Sequence, residues 1–294
     1  MSAPDWRSLY PFASHELEID GFRYHYLDEG AGPVLLFSHG NPTWTFFWRD
    51  LVTALRDKYR VIAVDHIGCG LSDKPSPEKY SYRLARRVED LNRLVERLDL
   101  RDITLVAHDW GGAIGMGTAV AMPERFSRFV LMNTAAFRAP TCPWKIRLCH
   151  IPVLGQVAVQ GLNLFVKAAL SEATAKPERM TPAVRAGFSA PYDSWANRVG
   201  VYRFVQDIPL SVAHPSYQTL LDIENGLAQF RGRPACMIWG MKDWCFTPWF
   251  LQKFREFLPQ AEVHEIEDAG HYVVQDSPDR VIEIMRKFLE SVSK

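Results

Sequence analysis

The stretch Ile103-Thr104-Leu105-Val106-Ala107-His108-Asp109-Trp110-Gly111-Gly112-Ala113-Ile114 decides how this chain is read. Its apolar first half reads as a buried strand, and the small residues after Trp110 open a helix. Asp109 stands at the junction, with Ala107 and Gly111 two positions to either side. A sharp strand-to-helix turn needs small residues there because bulk would clash. The same turn pushes the central side chain outward, where a substrate can reach it. The common form of such an elbow is G-x-S-x-G. Here alanine replaces the first glycine and aspartate replaces the serine.

The second replacement changes the chemistry. Serine needs a base to become a nucleophile, whereas a carboxylate is already an anion near neutral pH. An elbow aspartate suits displacement at a tetrahedral carbon or opening of a strained ring, and the product is an ester of the enzyme itself. A base becomes essential only when water must hydrolyse that ester. On this stretch alone the plainer reading, Asp109 as the cap of the following helix, stands beside the reactive one.

Outward from the elbow, strands and helices alternate. His15 to Asp20 and Phe22 to Asp28 are alternating segments joined at Asp20-Gly21, a strong hairpin signal. Apolar runs at Pro33 to Ser38, Arg60 to Val64, Phe129 to Asn133 and Ala235 to Trp239 read as further strands, and Glu262 to Ile266 reads as the last. Helical spacing lies between them, as in Leu84, Val88, Leu91, Val95 and Leu98. Thr247-Pro248 and Ser277-Pro278 each read as an N-cap followed by proline in the first turn. This alternation implies right-handed crossovers and an α/β fold with a mostly parallel, eight-stranded sheet flanked by helices. It is interrupted once. From residue 135 to 214, prolines at 140, 143, 152, 177, 182, 191 and 209 break the chain into short helical pieces. The reading is therefore a core of 1–134 and 215–294 with a helical cap at 135–214, placed over the strand ends where open parallel sheets bind ligands. The broken apolar run in the cap, Ile151 to Leu154, Val157 to Val159 and Leu162 to Val166, reads mostly as cap core, with part of it lining a channel or touching a membrane.

Composition bounds the partners. The 294 residues are 47% hydrophobic and carry 34 basic against 34 acidic side chains, which argues against a nucleic-acid surface. Five cysteines, an odd number without metal-type spacing, argue against a disulfide framework and favour a reducing cytoplasm. Met1-Ser2-Ala3-Pro4-Asp5-Trp6 shows no leader pattern, and no apolar run is long enough to span a bilayer. Gly68-x-Gly70 lacks the third glycine of a dinucleotide fingerprint. With no ligand cluster either, no metal or cofactor is expected. A homo-oligomer and a peripheral membrane contact through the cap are left open.

Three chemistry-bearing residues follow strands in the order nucleophile, acid, histidine: Asp109, Asp243 and His271. Singly, each has a bland reading as a turn or loop residue. Together and in this order they match an α/β-hydrolase triad. His39-Gly40-Asn41-Pro42 adds a turn that aims the Asn41 backbone N–H at the same point as that of Trp110. The pair forms an oxyanion hole, where each donor is typically worth about 3 kcal/mol. The Asn41 amide and Trp110 indole are also suited to hold a leaving halide, although core packing is the plain reading of a lone tryptophan.

The segments His39-Gly40-Asn41-Pro42-Thr43-Trp44, Asp65 to Asp73, His108-Asp109-Trp110-Gly111-Gly112 and Asp268-Ala269-Gly270-His271 resemble the haloalkane dehalogenase family over nearly the whole chain, most closely its third subfamily. The resemblance implies that Asn41 and Trp110 bind halide and that Asp243 is the acid. The alternative acid position, one strand earlier, is occupied by Asn133. A halogenated alkane would give an alcohol and halide through an ester of Asp109, with water activated by His271. The same subfamily includes β-lactone decarboxylases of olefin synthesis, and Asn133 to Phe137, Pro191 to Arg198 and Asp207 to Leu210 look much like those enzymes. Epoxide hydrolases share the triad, but they usually carry an aromatic residue at the position of Asn41 and use two cap tyrosines. Tyr192, Tyr202 and Tyr217 are the candidates.

Overall fold

Eight strands form one sheet: β1 (His15–Ile19), β2 (Phe22–Glu29), β3 (Val34–Ser38), β4 (Arg60–Val64), β5 (Ile103–Asp109), β6 (Phe126–Thr134), β7 (Ala235–Gly240) and β8 (Glu262–Ile266). The computed structural model describes residues 5–292. Met1 to Pro4, the first part of the stretch read for a leader, and the last two residues lie outside it. Across the sheet the order is β1-β2-β4-β3-β5-β6-β7-β8. The β1–β2 and β2–β4 pairs are antiparallel, and every pair from β4 to β8 is parallel. Asp20 and Gly21 both take positive φ at the β1–β2 turn, the backbone that a two-residue hairpin requires.

β5 lies at the centre, and every one of its residues is buried. Burial on both faces explains its continuous apolar run. One face packs against the helices Leu84–Arg97, Trp110–Ala121, Tyr217–Gly226 and Pro248–Phe257, through residues such as Leu91, Ile114, Leu220 and Phe254. The other face packs against Arg49–Leu55 and Pro278–Ser291, through Leu51, Val52, Met285 and Phe288. Both proline-led helices begin at the expected proline, but neither Thr247 nor Ser277 caps with its side chain. The Ser277 hydroxyl instead accepts from Lys176 Nζ at 3.2 Å.

After β6 the chain leaves the sheet and forms short helices, among them Trp144–Leu148, Leu164–Glu172, Pro182–Ser189 and Val199–Gln206. Their seams are polar. Arg198 donates to the Gln160 and Tyr192 carbonyls, and Asp207 accepts the Leu84 N–H and the Ser216 hydroxyl. The apolar run read mostly as cap core is largely not core. Val159 and Val166 are buried, but Ile151, Val153, Leu154, Val157, Leu162 and Leu164 are exposed. Pieces this short, cut at Pro143 and Pro152, turn only one face inward.

Candidate active site

The elbow is strained as its sequence demands. Asp109 takes φ 53 and ψ −129, a region in which residues other than glycine are costly. Two glycines permit the close approach around it. A Cβ on Gly111 would meet the Ser38 carbonyl oxygen at 1.9 Å, and one on Gly40 would meet Asp109 Oδ1 at 1.9 Å. Asp109 makes no side-chain cap bond to the helix it precedes, so the capping reading is set aside. Its Oδ1 accepts the backbone N–H of Asn41 at 2.6 Å, and its main-chain carbonyl accepts from the Thr134 hydroxyl. Oδ2 faces His271 Nε2 at 3.5 Å.

His271 follows β8, and its Nδ1 bonds Asp243 Oδ2 at 2.8 Å. Asp243 follows β7, and its Oδ1 accepts the backbone N–H groups of Cys245 at 2.7 Å and Phe246 at 3.0 Å. The structure thus brings the three sequence-selected residues into one chain of contacts, all buried. Burial is the main influence on Asp109 and pushes its carboxyl up. The charge on His271 and the N–H groups of Trp110 and Asn41 only partly offset it. Burial also opposes a charged His271, but Asp243 and then Asp109 outweigh it, and its pKa stands raised.

Asn41 and Trp110 both line the cavity beside Asp109. The Asn41 amide donates to the Val201 carbonyl at 3.1 Å, so one of its two side-chain hydrogens is engaged. The Trp110 ring packs 5.5 Å from Phe204, and its indole N–H has no hydrogen-bond partner among the described residues. The cavity measures about 740 Å³. Asp109 and His271 lie in its wall, with Phe137, Ile146, Phe165 and Ile208 among its apolar lining. Tyr192, Tyr202 and Tyr217 are not in that lining. Tyr192 is buried with its hydroxyl on the Thr43 carbonyl, and the Tyr217 hydroxyl accepts from Arg138.

Three further residues support the site in ways that the sequence does not reveal. Asn133, at the alternative acid position, clamps Asp243 with its amide. Nδ2 donates to Asp243 Oδ2 and to the Gly240 carbonyl, both at 3.0 Å, and Oδ1 accepts the Gly240 N–H at 2.8 Å. Asp276 Oδ2 accepts the Gly270 N–H at 2.7 Å, fixing the loop that carries His271. His108 Nε2 meets the His271 carbonyl at 2.8 Å, and the two rings are 4.5 Å apart. Burial, and then His271, hold His108 well below the usual imidazole range, so it remains neutral beside its neighbour. Only the Asn133 signal, an acid-position amide at a strand end, stood in the sequence.

Residues 33–278 match the α/β hydrolase fold family. A cis-3-alkyl-4-alkyloxetan-2-one decarboxylase from Shewanella oneidensis is 44% identical, over 96% of this chain and 90% of the relative. A protein of the same name from Xanthomonas campestris pv. campestris is 43% identical, over 96% and 97%. Haloalkane dehalogenase 2 of Mycobacterium tuberculosis is 34% identical, over 93% of each chain. The solved haloalkane dehalogenase DatA from Agrobacterium tumefaciens C58 superposes with a TM-score of 0.85 at 22% identity, covering 95% of this chain and 96% of that one, a likeness of fold. The chain belongs to the α/β-hydrolase fold family, in the group that holds both oxetanone decarboxylases and haloalkane dehalogenases.

Proposed function

We propose that this protein is a β-lactone decarboxylase, converting a cis-3,4-dialkyl oxetan-2-one into an olefin and carbon dioxide. The observation that carries the reading is the 44% and 43% identity, over 96% of the chain, to proteins of that name, against 34% for the dehalogenase. The site supports it. Asn133 to Phe137 and Asp207 to Leu210 include the Asp243 clamp and part of the cavity wall.

In the proposed reaction Asp109 attacks C4 of the lactone from the face opposite the ring oxygen. The C4–O bond breaks, and its electron pair goes to the ring oxygen as a new carboxylate. The C3–carboxylate bond then breaks, its electron pair forms the C3–C4 double bond, and the C4–Asp109 ester bond breaks to return Asp109 as an anion. No water is consumed. Inversion at C4 followed by anti departure leaves both alkyl groups on one side, giving a cis olefin. Asn41 and Trp110 place donors where the leaving carboxylate forms. His271, held by Asp243, supplies positive charge beside the departing Asp109. The helical segment 135–214 acts as the cap, enclosing the alkyl arms.

A second reading, haloalkane dehalogenase, rests on the Asn41 and Trp110 pair beside the aspartate. There His271 must deprotonate water to free Asp109. One experiment separates the two: turnover of a cis-β-lactone and of a bromoalkane in heavy-oxygen water. The lactone should give olefin with no label in Asp109. Fast bromide release, with label entering the Asp109 carboxylate and little olefin from the lactone, would overturn the first reading.

A further inference from the structure

Around the cavity mouth the described surface has a character of its own. Trp144, Leu148 and Leu164 are 68%, 47% and 48% exposed and also line the cavity, which places them at its opening. From there apolar surface continues over Ile151, Val153 and Leu154, at 43%, 73% and 56% exposure. Single exposed apolar side chains are ordinary on any protein. A contiguous run of them beside an apolar cavity marks an interaction surface.

Charge follows the same boundary. Residues 139–171 contain Lys145, Arg147 and Lys167 and no aspartate or glutamate, within a chain of zero net charge. Glu172 closes the run and pairs with Lys145 at 2.5 Å, while Lys167 Nζ donates to the Leu162 carbonyl. A second copy docked here through a two-fold contact would set these basic groups against themselves. An anionic bilayer satisfies both features, with apolar side chains below the headgroups and basic ones among them. No helix among the described residues is long and apolar enough to cross a membrane, so such a contact is peripheral.

We propose that the rim formed by Trp144, Leu148, Ile151, Val153, Leu154 and Leu164 docks on an anionic phospholipid surface. A water-insoluble substrate then passes from lipid into the cavity. The proposal stands on the surface alone and holds for either substrate class.

The test is co-sedimentation of the full chain with phosphatidylglycerol vesicles and, in parallel, with phosphatidylcholine vesicles. The wild type should pellet with the first more than with the second, and high salt should weaken it. The double variant Val153→Asp, Leu154→Asp, which leaves the cavity wall intact, should lose about tenfold in partitioning. Its thermal unfolding and its turnover of a short, detergent-soluble substrate should match the wild type. The pair Lys145→Gln, Arg147→Gln should lose about tenfold on phosphatidylglycerol and little on phosphatidylcholine. Wild-type protein left in the supernatant with phosphatidylglycerol vesicles would overturn the proposal, as would undiminished binding by the double aspartate variant. A dimer in sedimentation velocity that the double variant dissolves, without vesicle binding, would assign the face to a second copy instead.

Discussion

Two buried aspartate–histidine hydrogen bonds near strand ends, among the described residues, are opposites. At the end of β4, Asp65 Oδ2 meets His25 Nδ1 at 2.8 Å, and in the other, after β7, Asp243 Oδ2 meets His271 Nδ1 at the same distance. The first pair is closed. Asp65 also accepts the Thr45 and Leu71 N–H groups, and His25 Nε2 ends on the Ser14 hydroxyl. The second is open, because His271 Nε2 looks onto Asp109 and the cavity. The carboxylates show the consequence. Burial pushes both Asp65 and Asp109 up. For Asp65 the His25 contact, His39 and the Leu71 N–H reverse it and hold the group low. For Asp109 the opposing groups do not suffice, and it stays high. Asp65 is thus closed in by its partners, whereas Asp109, on the open side of His271, is left short of them.

Breaking the open end has the largest effect. Asp109→Asn should lower turnover by roughly 10⁵-fold, as loss of a nucleophile does elsewhere. It should also raise the melting temperature at neutral pH by a few degrees, worth about 1 kcal/mol. The sign follows from the raised pKa: ionising Asp109 costs the folded state stability as pH rises, and the amide removes that cost. Differential scanning fluorimetry beside the activity assay reads both.

His271→Gln sharpens the comparison between reactions. A bromoalkane should release one equivalent of bromide and stall with Asp109 esterified, whereas the lactone should keep turning over, slowed by about 10²-fold. In the wild type the raised pKa of His271 contributes stability that is complete below its unfolded value, near 6.5, and is lost as pH rises through the folded value. Unfolding curves of wild type and His271→Gln across that window should therefore converge at high pH.

Breaking the closed end should leave chemistry alone and remove stability. Asp65→Asn strips a buried pair of its charge and should cost about 3 kcal/mol in denaturant unfolding at neutral pH. The Asp65 pKa is depressed, so its contribution is present above the unfolded value, and the wild type loses it as pH falls through the folded one. The smallest effect belongs to Asn133→Ala. It should cost about 1–2 kcal/mol of stability and lower turnover about fivefold by loosening Asp243. A fall in kcat with KM unchanged would mark Asn133 as a positioning residue.

The open pair was legible in the sequence, and the closed one was not. Asp109, Asp243 and His271 each stand at or just after a strand end and come in a fixed chain order, because a parallel sheet gathers its strand ends on one side. The small residues around Asp109 are required by the turn itself. His25 lies inside β2 and reaches Asp65 only because β2 runs antiparallel beside β4, a neighbour relation that no local pattern states. The Asn133 clamp joins residues 110 positions apart and is likewise a product of strand order. In the segment 135–214, proline spacing told of short helices but not which apolar faces would be left outside.

In the proposed reaction Asp109 becomes bonded to a carbon of the lactone and is released again with the olefin. Rapid acid quench within the first turnover, followed by mass analysis of the Asp109 peptide, tests it most directly. This peptide should transiently gain the full mass of the lactone and return to its own mass as cis olefin appears. An Asp109 peptide that stays unmodified while olefin forms, or an adduct carried by another residue, would contradict it.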